Sequence, residues 1–212
     1  MKKGKLIVIE GISGSGPQVT SGIVALKHAL ISEGHEVVEC ANPDSGRVQE
    51  LGLTSVFNWP FGKDIRADFF LEGAVRAEIF KNIVRPALDD GKIVLCKQSS
   101  ISSLANAWVN GHTHHFDVLR QLEKISRGYL FDEEIYPDLT LFFDIPAVEA
   151  FERIEDVLQI HHEGGLAYYQ KMREFYLGEI SRWRGFSIDV SASRSQEEIL
   201  ADALALVKPI LW

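Results

Sequence analysis

The most informative feature is the opening run Leu6-Ile-Val-Ile-Glu10, which is followed at once by a glycine-rich loop and then by a helical pattern. An unbroken apolar run of that length suits a strand buried on both faces, and such strands belong to parallel sheets covered by helices. Four more runs repeat the alternation. Residues 36–40, 92–96, 139–144 and 186–190 read as strands two to five. Between them, residues 17–32, 64–88, 99–110, 116–131, 147–155, 167–182 and 196–211 carry helical patterns. Strands alternating with helices predict an α/β fold, a three-layer α/β/α sandwich around a five-stranded parallel sheet. Gly34 marks the end of the first helix, Pro86 the end of the long one, and Ser195 with Glu198 forms a capping box for the last.

The loop between strand one and helix one reads Glu10-Gly-Ile-Ser-Gly-Ser-Gly-Pro-Gln18. Strand, glycine loop and helix together are the context of a phosphate-binding P-loop, whose full pattern is Gly-x-x-x-x-Gly-Lys-Ser/Thr. Gly11 and Gly16 keep the spacing, while Pro17 and Gln18 stand where lysine and a hydroxyl belong. The glycines let backbone N–H groups converge on an anion at a helix N-terminus. That leaves Gly11, Ser13, Gly14, Ser15 and Gly16 as candidate phosphate- or nucleotide-binding residues, with Pro17 and Gln18 at their edge. The lysine would neutralise transferred phosphates and the hydroxyl would hold Mg²⁺. Proline also removes an N–H, although it suits the first turn of a helix. Taken alone, the loop also reads as a plain strand-to-helix turn.

Further segments, in order, carry a resemblance to the thymidylate kinase family over nearly the whole chain. They are residues 5–16, then Gly73-Ala-Val-Arg76, Val84-Arg-Pro-Ala-Leu88 and Gly91-Lys-Ile-Val-Leu-Cys96. Tyr136-Pro-Asp-Leu-Thr140, Phe143-Asp-Ile-Pro146, Ala150-Phe-Glu-Arg-Ile154, Phe175-Tyr176 and Ser187-Ile-Asp-Val190 follow. The resemblance implies a nucleotide-kinase fold of the P-loop type, a homodimer, and phosphoryl transfer from ATP-Mg to dTMP. It implies one domain over residues 1–212, with a reduced lid at about 153–166. It also implies substrate-pocket positions at Pro43, Glu72, Arg76, Ser102 and Asn106.

Several positions depart from the family pattern. Lys97-Gln98 replaces its Asp-Arg pair after strand three, and Asn42 precedes Pro43 where glutamate is frequent. Glu72 stands for a phenylalanine that stacks on thymine, and Asn106-Ala107 for a tyrosine-glutamine pair. Residues 155–165 lack the arginines of the family's lid; Arg153 lies at their edge. Each lost electrostatic stabiliser in a preorganised site costs on the order of 3–4 kcal/mol. The combined loss reads as a pseudoenzyme that binds a nucleotide or phosphate-like anion and transfers phosphoryl groups weakly or not at all. The competing reading is an active kinase with a rearranged site that uses Lys97 and Arg76 as catalytic cations and takes ATP and Mg²⁺. Arg76 also fits a surface salt bridge, and Asp144 either caps the exit of strand four or binds metal.

Composition narrows the remaining classes. A net charge of −8 gives no basic face for nucleic acid. No apolar run approaches the ~20 residues of a membrane span. Two cysteines, Cys40 and Cys96, are too few for a disulfide framework and fit a reducing cytoplasm. Both end strands that the resemblance makes sheet neighbours, and they read either as a close pair at the functional rim or as two small buried residues. His112, His114, His115, His161 and His162 read as loop or surface histidines rather than a metal site, so no metal ligand is expected. The aromatic cluster Phe57, Trp59 and Phe61 reads as either a hydrophobic plug or a border of the substrate site, and Trp212 has no assigned role.

Overall fold

A computed structural model describes residues 3–41, 49–50, 52, 65–98, 100–114, 116–129, 134–158 and 164–211. The elements run β1 (Lys5–Glu10), α1 (Gly16–Ser32), β2 (Val37–Ala41), α2 (Ile65–Ile79), a π-helical turn (Phe80–Val84) and α3 (Arg85–Asp89). They continue with β3 (Ile93–Lys97), α4 (Ser100–Val109), α5 (Phe116–Ser126), β4 (Leu139–Asp144), α6 (Ala147–Leu158) and α7 (Gly165–Glu179). A 3₁₀ turn (Ile180–Trp183), β5 (Gly185–Asp189), α8 (Gln196–Val207) and a last 3₁₀ turn (Lys208–Ile210) complete the order.

The five strands form one parallel sheet in the order β2-β3-β1-β4-β5. β1 is central, and Leu6, Ile7, Val8 and Ile9 are 0–1% exposed. Its alternation supplies two layers. Ile7 and Ile9, with Ile93 and Leu95 of β3, pack with Val19, Ile23 and Leu26 of α1. Leu6 and Val8, with Val94 and Cys96, pack with Val75, Ile79 and Val84 on the other face. The α/β/α sandwich expected from the run pattern is therefore the observed fold. Period-two alternation also fixes which face each strand end serves, and this governs where Lys97 points.

Most boundaries shift by a residue or two. β3 ends at Lys97 rather than Cys96, which puts the lysine inside the strand register, opposite Ile9 of β1. The expected continuous helix over residues 64–88 is not one element. α2 stops at Ile79, and the N–H of Arg85 reaches back five residues to Phe80 O. Pro86 explains the change. It has no N–H for the carbonyl four residues earlier, and its ring crowds that carbonyl, so the ladder widens before the proline begins a new helical turn. The helical patterns at 116–131, 167–182 and 196–211 shorten to Ser126, Glu179 and Val207, the last two passing into 3₁₀ turns.

Candidate functional site

The loop after β1 is closed on itself. Ser15 donates to the Ile12 carbonyl twice, through its N–H at 3.1 Å and its Oγ at 2.5 Å. Glycine is required where the loop meets its neighbours. A Cβ on Gly11 would lie 2.3 Å from Ser15 Oγ. Gly14 has φ +92°, and a Cβ there would lie 2.4 Å from Ala150 O of α6. Pro17 falls in the first turn of α1, where no intrahelical N–H is needed. The N-cap Ser15 makes no side-chain cap, and no acidic residue stands in the first turn, so the positive end of α1 is left open.

A cavity of about 230 Å³ lies against this loop, bounded by residues 11–15, Val19, Lys97, Gln98 and Ile154. Lys97 enters it because odd positions of β3 face α1. Its Nζ donates to Thr20 Oγ1 at 3.2 Å, and among the described residues it has no carboxylate partner. The chain then turns sharply. Gln98 adopts φ +59°, with its N–H on Ile9 O at 2.8 Å and its carbonyl accepting from Cys96 Sγ at 3.3 Å. The structure thus brings Gly11, Ser13, Gly14, Ser15 and Lys97 together around one hollow.

A second cavity, about 550 Å³, also borders α1. Gln18, Ser21 and Gly22 of α1 face Arg153 and the segment from Ser191 to Ile199. Gln18 Oε1 is buried there without a hydrogen-bond partner. Arg153 pairs with Glu149 and reaches Gly14 O at 3.5 Å, and Glu149 accepts from Ala192 N at 2.8 Å. α6 is thereby tied to both the loop and the segment between β5 and α8. The volume lies within the usual range for small-molecule sites.

Arg76 lies elsewhere, under α4 and α5. It is 0% exposed, so the surface alternative for this residue is corrected. Nη1 pairs with the buried carboxylate of Glu123 and donates to Ser126 Oγ at 3.1 Å; Nη2 donates to Ser103 Oγ at 2.8 Å. Ser103 in turn donates to Glu72 at 2.5 Å. Burial pushes the Glu72 carboxyl above its ordinary value, while the Ser103 hydrogen bond and Arg76 pull it back. The guanidinium is met on all sides by α4 and α5, as a charge taken out of water must be.

A thymidylate kinase of Pelotomaculum thermopropionicum is 31% identical over 214 positions, covering 99% of this chain and 95% of its own length. One from Nitratidesulfovibrio vulgaris is 28% identical, covering 97% and 96%. A probable thymidylate kinase of Pyrococcus abyssi is 30% identical and covers 97% of both. The chain belongs to the thymidylate kinase family. No protein-family model matches it.

Among the other positions that the thymidylate kinase resemblance marks, Ser102 and Asn106 are half-buried on α4. Asn106 accepts from Asn110 Nδ2 through both its carbonyl and its side-chain oxygen at 2.8 Å. Asp144 ends β4 in a bidentate pair with Arg173, at 2.6 and 2.8 Å. Glu10 is buried and accepts from Tyr176 OH at 3.2 Å; burial, then the Glu10 charge, pushes that phenol well up. Cys40 and Cys96 are register partners on β2 and β3, both buried and both free. His112 and His114 are exposed. No cluster of three or more His, Cys, Asp or Glu fit for a metal occurs among the described residues. Asn42, Pro43, Phe57, Trp59, Phe61, His115, His161, His162 and Trp212 lie outside the described residues.

Sequence reading missed Thr20, Glu123, Ser103 and Arg173. Glu123 carried a signal, since it falls on the inward stripe of α5 with Leu119 and Ser126. Thr20 carried none, because it is an exposed helix residue whose partner is 77 positions away.

Proposed function

We propose that this thymidylate kinase family member binds the phosphate groups of a nucleotide at residues 11–16 and has lost most or all of the family's phosphoryl transfer from ATP to dTMP. The observation that carries the reading is the Lys97 ammonium, which has no carboxylate partner among the described residues, beside the open N-terminus of α1. Together they concentrate positive potential on one small hollow, as an anion cradle does. The larger cavity along α1, bordered by Gln18, Arg153 and the segment after β5, offers room for the rest of a nucleotide. Loss of transfer follows from Pro17, Gln18 and the Lys97-Gln98 pair. Each replaces a group that would stabilise the transferring phosphoryl, and one such group is worth about 100- to 1000-fold in rate. Calorimetry with ADP, ATP and dTMP, beside a coupled assay for dTMP-dependent ADP release, tests both halves. Heat of binding with turnover near background is expected; turnover at the rate of its relatives sinks the second half, and the absence of any heat sinks the first.

The second reading, an active kinase with a rearranged site, draws support from Lys97 alone. The same lysine that holds an anion also has the charge to assist its transfer. Arg76 offers that reading less, because Glu123 already neutralises it. Abolition of measurable turnover by Lys97→Ala is its signature. The protein is further proposed to be a cytoplasmic homodimer. No described helix is long and apolar enough to cross a membrane. Phe70 and Val118 stand 60% and 55% exposed on the neighbouring helices α2 and α5, which supports an apolar contact between copies. Sedimentation as a monomer at micromolar concentration removes that part.

A further inference from the structure

We infer that the loop binds a phosphate-bearing anion free of metal, with the Lys97 ammonium standing where a divalent cation would otherwise be needed. This rests on the reading of residues 11–16 as a phosphate site and deepens it.

The thymidylate kinase resemblance implies magnesium, and the residues present do not fit it. Magnesium takes oxygen ligands in near-octahedral geometry, ordinarily one or two carboxylates together with phosphates and water. No carboxylate lines the cavity among the described residues. The two acidic groups at neighbouring strand ends are engaged elsewhere, Glu10 with Tyr176 and Asp144 through both oxygens with Arg173. The Ser15 hydroxyl spends its proton on Ile12 O inside the loop. The position that would carry the metal-binding hydroxyl is Gln18, which lines the larger cavity and not this hollow.

An ammonium is already at the hollow, and its place is fixed. The β3 register aims Lys97 toward α1, its ammonium donates a hydrogen bond to Thr20 Oγ1, and the left-handed Gln98 is held by Ile9. A divalent cation brought to the same hollow meets a like charge, which opposes binding. A phosphate meets a cation, open N–H groups and a helix dipole, none of which requires metal. The ligand class is therefore an uncomplexed di- or polyphosphate, such as a nucleoside diphosphate or pyrophosphate.

The test is calorimetry of wild-type protein with ADP and with pyrophosphate, in excess EDTA and in excess magnesium. Equal or tighter binding in EDTA is expected, since removing magnesium leaves the ligand its full negative charge. Lys97→Met is expected to weaken binding in EDTA by about tenfold or more. Lys97→Asp is expected to bind only when magnesium is present, with thermal melting reporting that each variant is folded. Wild-type binding that requires magnesium overturns the inference and leaves the phosphate reading standing. Undiminished binding by Lys97→Met also overturns it. No binding in either buffer overturns both.

Discussion

Arg76 and Lys97 are both cations in a family of phosphate-handling proteins, yet their surroundings give them different work. The Arg76 guanidinium is wholly buried and shared among Glu123, Ser126 and Ser103. Removing one member of such a pair strands the other charge away from water. Arg76→Met is expected to cost about 3–5 kcal/mol in chemical denaturation, and pairing it with Glu123→Leu to recover most of that. A cost below about 1 kcal/mol for the single variant argues that the pair is hydrated. Lys97 is the opposite case. It is held by one hydroxyl, carries no counter-charge among the described residues, and leaves the fold little to lose when it changes. The two residues therefore separate what supports the scaffold from what is available to a ligand.

Among the elements, α8 shows how far local chemistry can be read ahead. Ser195 Oγ accepts from Glu198 N at 3.2 Å, and Glu198 Oε2 accepts from Ser195 N at 2.8 Å, the reciprocal box that the residues alone announce. Ser195→Ala is expected to cost about 1 kcal/mol in urea denaturation, and a neutral result means the box does not hold the helix in solution. The strands were equally readable, because β1 and β3 need apolar residues on both faces and have them. What could not be read was set by partners distant in sequence. The π-helical turn before Pro86 needed the ladder itself, and a one-residue shift in β3 decided whether Lys97 lay in the register or past it. The strand–glycine loop–helix succession was readable, and so was the place of Lys97 at the rim where β3 ends; its hydrogen bond to Thr20 was not, because that partner lies on another element.

Across the molecule, the hollow is assembled from residues 11–15, Val19, Lys97, Gln98 and Ile154, which come from the loop after β1, α1, the end of β3 and α6. A ligand there can favour only the state in which β1, β3 and α6 have all docked. ADP is therefore expected to slow hydrogen exchange throughout β1, β3 and β4, rather than in the loop alone. Protection confined to residues 11–20 overturns this expectation. The contact of Gly14 with Ala150, reinforced by Arg153 on the Gly14 carbonyl, has a bearing on how the chain is made. During synthesis from the N-terminus, the loop emerges more than a hundred residues before the helix that closes over it. A nascent chain thus passes most of its length with an unfinished pocket, and a ligand of the proposed kind can be held there only after α6 has emerged and folded back.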